Sequence, residues 1–225
     1  MKKILFGLMA AATAATPALA QDVSPFAGPY AGIQGTVGQV DDVNTDLDYW
    51  YTGTDVRTSD RGLLVGLRAG YDMTSGPLLF GVLAEASIGK INSYEEVGTS
   101  GDDVFENGTK INKLGSVRAK LGVTSGNLAA FVTGGLALSD ADQRYNETDG
   151  SDERYSGKGD RSGYVLGLGA AYALNARTTI GLDYSHYEFG SKHHDLREED
   201  GSDTDYDFSE DYKVRALTLS VNFGF

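Results

Sequence analysis

Residues 62–72, Gly-Leu-Leu-Val-Gly-Leu-Arg-Ala-Gly-Tyr-Asp, decide the fold class of this chain. Every odd position in the stretch is apolar, whereas the even positions hold three glycines, Leu64, Arg68 and Asp72. A repeat of two is the period of a β-strand with two different faces, and a helix would need a repeat of 3.6. The stretch therefore predicts a strand with one apolar and one polar face.

The same alternation recurs in eight segments along the chain. Their uncharged face is formed by alternate residues of 31–37, 63–71, 80–88, 117–123, 128–138, 164–172, 180–184 and 217–225. None of these 37 positions is charged, although 23% of the chain is. The opposite face carries many glycines and also charges within the strands, at Arg68, Glu85, Arg118, Lys120 and Asp183.

Glycine on the charged face indicates a crowded interior, because long side chains can cross a narrow lumen only where the facing wall is bare backbone. An apolar exterior around a polar interior is what lipid requires of a barrel. The pattern therefore predicts an all-β fold, an eight-stranded antiparallel up-and-down transmembrane β-barrel.

The connections between the segments alternate in length. Three are tight turns with glycine, proline or asparagine, at 74–77, 125–127 and 175–177. The other four, at 41–60, 93–113, 140–162 and 188–212, contain 28 of the 32 acidic residues. Short turns at one rim and long loops at the other are typical of outer-membrane barrels, so we expect four long extracellular loops and three short periplasmic turns.

The first 20 residues have the features of a secretory signal. Lys2 and Lys3 precede an apolar run, and Ala18-Leu19-Ala20 is a small-x-small cleavage site. We therefore expect 1–20 to be a cleaved signal peptide and 21–225 to be the barrel.

Charge and composition narrow the possible partners and chemistry. The formal net charge is −13, and an acidic excess of this size argues against nucleic acid as a partner. The chain has no cysteine, which excludes disulfides, thiolate metal sites and a cysteine nucleophile.

The last strand alternates up to a terminal aromatic residue. This ending resembles the outer-membrane assembly signal, so the barrel assembly machinery is an expected partner during biogenesis. The positions concerned are Leu217, Leu219, Val221, Phe223 and Phe225.

Four stretches, 61–72, 114–122, 132–137 and 182–190, resemble the small outer-membrane proteins of alphaproteobacteria. That group is the outer membrane immunogenic, opacity-like porin family, which shares its eight-stranded barrel with the membrane domain of OmpA. The resemblance covers essentially all of 29–225. It implies an envelope protein of a Gram-negative outer membrane, exposed to a host or the environment, with a mainly structural and interactive role.

The lumen charges also resemble those of OmpA-type barrels, in which carboxylates and basic residues pair. Lys120, Glu85 and Asp183 match such positions, whereas Ala171 and Gly181 replace an expected glutamate and arginine. Together with Arg68 and Arg118, the three matching residues predict a lumen ion network. Because eight strands leave room for little besides side chains, a plug is favoured over a narrow ion path or gate.

Two motifs suggest a catalytic pair and a calcium site, but the positions of their residues argue against both. Ser185-His186, with His193-His194 nearby, invites comparison with barrels that deacylate lipid A, but adjacent strand residues face opposite sides, so nucleophile and base would not meet. Asp203, Asp205, Asp207 and Glu210 resemble a calcium loop without its glycine and its twelfth-position glutamate. We expect no enzyme, no cofactor and no dedicated metal site, with loose divalent binding as the alternative to a solvated acidic loop.

Near the loop-side rim, five basic residues are placed to meet lipopolysaccharide phosphates: Arg61, Lys90, Lys113, Lys213 and Arg215. Tyr49-Trp50-Tyr51 is either an adhesive contact or a rim anchor at the lipid headgroups.

The expected function is a surface-exposed barrel that supports envelope integrity and meets host or environmental ligands through its loops. A small-conductance porin is the alternative, and a lipid A-modifying enzyme is a distant third.

Overall fold

The computed structural model describes residues 24–46, 55–100, 103–148, 154–197 and 203–225. Side chains are described for 24–41, 59–91, 111–140, 161–190 and 213–225. The expected signal peptide and the Tyr49-Trp50-Tyr51 cluster lie outside these residues.

Eight strands follow one another along the chain and close on themselves. Each pairs antiparallel with its sequence neighbours, and β1 pairs with β8, so the predicted eight-stranded antiparallel barrel is confirmed. The strands are β1 (Gly28–Asp46), β2 (Asp55–Ser75), β3 (Leu78–Ser100), β4 (Asp103–Ser125), β5 (Leu128–Thr148), β6 (Arg154–Ala173), β7 (Thr178–Arg197) and β8 (Asp203–Gly224).

The tight turns are where the sequence predicts them. Gly76 and Gly126 have φ of 58° and 57°, a backbone conformation that glycine adopts without steric cost. Hairpins this short hold β2 to β3 and β4 to β5 at the periplasmic rim.

The two faces of the sheet have the expected polarity. Leu67 and Leu136, from the uncharged face, expose 67% and 73% of their surface, whereas Arg118 and Asp183 expose 3% each. A water-soluble barrel has the reverse arrangement, so this wall is built for hydrocarbon. Within the described ranges, no helix is long and apolar enough to cross a membrane.

The four long connections differ from expectation because most of their residues continue the strands. Pairing between β1 and β2 extends to Thr45↔Asp55, and pairing between β3 and β4 extends to Ser100↔Asp103. The polar residues there keep their backbone hydrogen bonds within the ladder although their sequence shows no apolar alternation. The extracellular part is thus made mainly of long hairpins.

Above the rim the barrel divides into two sheets. The β2–β3 ladder ends at Leu63↔Lys90 and the β6–β7 ladder ends at Gly163↔Phe189, whereas the other ladders continue. The protruding sheets, in the residues that the structure describes, are β2-β1-β8-β7 and β3-β4-β5-β6.

The lumen has three layers, a feature that alternation alone does not predict. Apolar side chains fill both ends, and charged and hydroxyl side chains fill the middle. The periplasmic layer contains Phe26, Leu79, Ala129, Phe131 and Ala173. The loop-side layer contains Val40, Leu64, Ile91, Ile111, Leu114, Ala137, Val165, Tyr187, Phe189, Val214 and Ala216.

Candidate functional site: the charged lumen

The middle layer is organised around Arg68, which projects inward from β2. Its guanidinium lies 3.0 Å from a Glu85 carboxylate oxygen on β3 and 2.9 Å from Asp183 Oδ2 on β7. It also donates to Ser220 Oγ at 2.6 Å. One side chain thus ties together strands on opposite parts of the barrel wall.

Arg118 continues the network from β4. Its guanidinium lies 2.5 Å from the second oxygen of Glu85 and donates to Ser185 Oγ at 2.7 Å. It also donates to Tyr187 Oη and lies 5.3 Å from the centre of that ring, a cation–π contact. Arg68, Glu85, Asp183 and Arg118 therefore form one connected, formally neutral cluster of four charges.

Lys120 does not join this cluster, which corrects the expected five-residue network. Its Nζ donates to Asp72 Oδ2 at 2.8 Å and to Tyr30 Oη at 2.9 Å, nearer the periplasmic end. It also lies 5.0 Å from the centre of the Phe131 ring. The Lys120 side chain extends toward the periplasmic side of its strand, and Asp72 is the carboxylate that its ammonium reaches there.

The alternation of residues 62–72 indicates that Asp72 faces inward, although Asp72 is not among the five charges expected in the network. Asp72 shares the inward face with Arg68, but its pairing with Lys120 joins strands β2 and β4, which are not adjacent. Alternation assigns a face and does not assign such a partner.

Glycines make room for the charged layer. A Cβ at Gly169 would lie 2.7 Å from Asp183 Oδ1, and one at Gly181 would lie 2.7 Å from Ser220 Oγ. Larger residues there would push against the groups that hold Arg68, as the glycine-rich inward face predicts.

Space is also limited below the network. A cavity of about 40 Å³ lies at the periplasmic end and is lined by Tyr30, Asp72, Lys120, Asn222 and the Pro25–Ala27 segment, among others. This volume suits a few water molecules. Asp72 Oδ1 and Asn222 Oδ1 are buried acceptors without a protein partner, and water in this polar cavity is a suitable donor.

The five basic rim residues all lie on the outer face, but they differ in their partners. Lys113 pairs with Asp140, Lys213 lies 3.8 Å from Glu188, and Arg215 makes two bonds to Asp41, at 2.8 and 2.9 Å. Each of these pairs joins neighbouring strands.

The Arg61 guanidinium and the Lys90 ammonium have no carboxylate partner among the described side chains; the Arg61 backbone amide donates to Asp60 Oδ1. Arg61 donates instead to Gln39 Oε1, at 3.4 Å, and Lys90 is exposed on β3.

The C-terminal positions face outward. Leu217, Leu219 and Phe223 expose about half of their surface, and Phe225 exposes 82%. They form part of the apolar outer wall where β8 pairs with β1 and β7.

The possible catalytic and metal-binding motifs show no assembled site. Ser185 is buried in the lumen against Arg118, whereas His186 is on the opposite face of β7. The side chains of His193, His194 and the Asp203–Glu210 set lie outside the described side chains. Among those that are described, no group of three or more histidines and carboxylates is placed to hold a metal ion.

Comparison with known proteins agrees with this architecture. The 31 kDa outer-membrane immunogenic proteins of Brucella melitensis biotype 1 and Brucella suis biovar 1 are each 28% identical to this chain over 134 residues. The match covers 58% of this chain and 55% of theirs, so the chain spans about half the length of these curated relatives.

Among solved structures, the outer membrane protease OmpT from Escherichia coli has a similar fold, with a TM-score of 0.56 at 9% identity, covering 88% of this chain and 97% of that one. At this identity the likeness is one of fold alone.

The family described as outer membrane protein beta-barrel domain matches residues 6–225. With an inside-out wall, a closed eight-stranded sheet and a match over nearly its whole length, the chain belongs to this family of outer-membrane barrels.

Proposed function

We propose that this protein is a closed, non-catalytic barrel that supports the integrity of the outer membrane and displays a surface for external contacts. The observation that carries the proposal is the neutral cluster of Arg68, Glu85, Asp183 and Arg118 between two apolar lumen layers. Such a lumen holds the wall together from within and leaves no continuous aqueous path.

The packing favours a plug over the alternative, a small-conductance channel. The charges of the cluster expose between 2% and 6% of their side chains and point at one another. An ion path needs groups that face water and exchange partners easily, whereas a buried pair that loses one partner leaves an uncompensated charge. The same groups that close the lumen therefore also stabilise it.

A lipid A-modifying activity has no support in the described residues. Hydroxyl and imidazole must lie within hydrogen-bond reach for nucleophilic catalysis, and the backbone puts Ser185 and His186 on opposite sides of the wall. The non-enzymatic role rests on this geometry and on the family.

The protruding sheets support the proposed contact with a host or the environment. They extend the strands to 19–23 residues, whereas about 9–11 residues suffice to cross a bilayer. Much of each hairpin therefore stands clear of the membrane, with the acidic residues of the chain concentrated there.

Lipopolysaccharide is the proposed lipid partner of the rim. The five basic residues stand just above the apolar wall, where phosphates of the outer leaflet lie. We expect Arg61 and Lys90 to contribute most, since Lys113, Lys213 and Arg215 already have carboxylate partners.

The C-terminal set from Leu217 to Phe225 is proposed to guide insertion by the barrel assembly machinery.

A deletion strain of the source bacterium tests this function. Loss of the protein is expected to raise sensitivity to detergent and polymyxin, and the wild-type gene is expected to restore resistance. The double variant Arg61→Glu/Lys90→Glu should restore it only in part, whereas Arg177→Glu, a charge reversal at the opposite rim, should restore it fully. Unchanged sensitivity in the deletion strain would contradict the role in integrity, and full rescue by the double variant would contradict the lipid contact.

A further inference from the structure

The segment before β1 folds across the periplasmic end of the barrel. Ser24 to Ala27 form a turn in which the Ala27 amide donates to the Ser24 carbonyl at 2.9 Å. Proline at the second position of the turn suits this conformation. Gly28, with φ of 111°, follows the turn and lets the chain bend at the start of β1. We call Ser24–Ala27 the strap.

The turn directs Phe26 into the lumen. Phe26 exposes 8% of its surface and belongs to the apolar layer formed with Leu79, Ala129, Phe131 and Ala173. Those residues lie on β3, β5 and β6, and β5 is opposite β1 in a ring of eight strands. Phe26 therefore joins the start of β1 to an apolar layer supplied by strands across the barrel mouth.

The strap forms part of the wall of a polar compartment. Pro25, Phe26 and Ala27 line the 40 Å³ cavity whose other walls include Tyr30, Lys120 and Asp72. The side chains of Lys120 and Asp72 expose only 7% and 8% of their surface beneath this cover. The cavity ends at the Arg68 cluster, since Arg68 and Asp183 also line it.

We propose that the strap is a periplasmic lid, held by Phe26, that restricts the entry of solutes from the periplasm into the compartment around Lys120 and Asp72. Opening the lid exposes the compartment to the periplasm, while the Arg68 cluster keeps the rest of the lumen closed. The lid and the cluster are formed by different residues, so either one can fail in experiment without the other.

The absence of cysteine from the sequence allows a direct test with single reporters. Ala171→Cys places a thiol in the wall of the compartment, and Thr36→Cys places one on the loop side of the Arg68 level. The probe is 2-sulfonatoethyl methanethiosulfonate, applied to folded protein. Phe26→Ala should raise the labelling rate at position 171 at least about tenfold, because the closed state no longer protects it, and should leave position 36 unchanged.

Phe26→Leu is the matched control, since it keeps an apolar side chain in the mouth and should label slowly at position 171. Equal rates at position 171 with phenylalanine and alanine would overturn the lid. Faster labelling at position 36 in the Phe26→Ala background would show that the barriers are not separate.

A second measurement does not depend on the alanine variant folding. Phe26→Trp in a Trp50→Phe background gives the chain a single tryptophan at the lid. Its emission should be blue-shifted and protected from acrylamide in the folded protein. Emission typical of water, with full quenching, would overturn the proposal.

Discussion

The lumen and the outer rim of this barrel contain the same kinds of ion pair in different surroundings. In the lumen, Arg68 and its two carboxylate partners expose no more than 6% of their side chains. At the rim, Arg215 and Asp41 expose 46% and 32%, although their contact is as short, at 2.7 Å. Distance alone therefore does not distinguish the two sets.

This difference shows that burial determines how strongly each set of ion pairs depends on keeping both partners. Removing one partner from a buried pair leaves a charge without compensation, whereas water and salt replace a lost partner at the surface. We therefore expect lumen pairs to stabilise the barrel, and we propose that rim pairs exchange a carboxylate for a lipid phosphate.

The largest effect is expected from Arg68→Met. This change leaves Glu85 and Asp183 buried with one guanidinium fewer, so the free energy of unfolding should fall by about 3–5 kcal/mol. Urea unfolding in micelles, followed by the shift of the folded band on unheated gels, measures the loss. Arg68→Lys keeps the charge without the planar fork and should lose less. If Arg68→Met lowered the free energy of unfolding by less than about 1 kcal/mol, the buried network would contribute no more to stability than the exposed rim pairs.

A smaller loss, about 3 kcal/mol, is expected from Lys120→Met, which leaves Asp72 beside the cavity. Because Lys120 is the cation that bonds Asp72 directly, adding Asp72→Asn should recover more than half of the loss. The same unfolding assay, arranged as a double-mutant cycle, measures the coupling. A double variant as unstable as the sum of the two single variants would show that the pair does not act as a unit.

The smallest effect is expected at the rim. Arg215→Met should lower the free energy of unfolding by at most about 1 kcal/mol, and the difference from wild type should shrink further in high salt. The comparison at low and high salt is the measurement. A loss as large as that of Arg68→Met would mean that exposure does not separate the two sets.

Much of the fold could be predicted from the sequence because the membrane imposes alternation on every strand that crosses it. Leu67 and Arg68, adjacent in the sequence and opposite in environment, illustrate that signal. The hairpin extensions could not be found in this way, since strands with water on both sides need no apolar face.

The sequence predicted which charged residues face the lumen, but it did not predict how they pair. Inward position identified Arg68, Glu85, Arg118 and Asp183, but which charges pair depends on how far each side chain reaches across the ring. Phe26 lies before the first alternating segment, so no periodic signal points to its place in the mouth.

Single-channel recording of the purified, folded protein in a planar bilayer tests most directly whether the lumen is closed. We expect no open steps beyond those of the lipid alone, in the wild-type protein at low and high voltage. Large, stable openings in the wild-type protein would contradict the proposed plug, because they require a continuous aqueous path through the buried cluster and the two apolar layers.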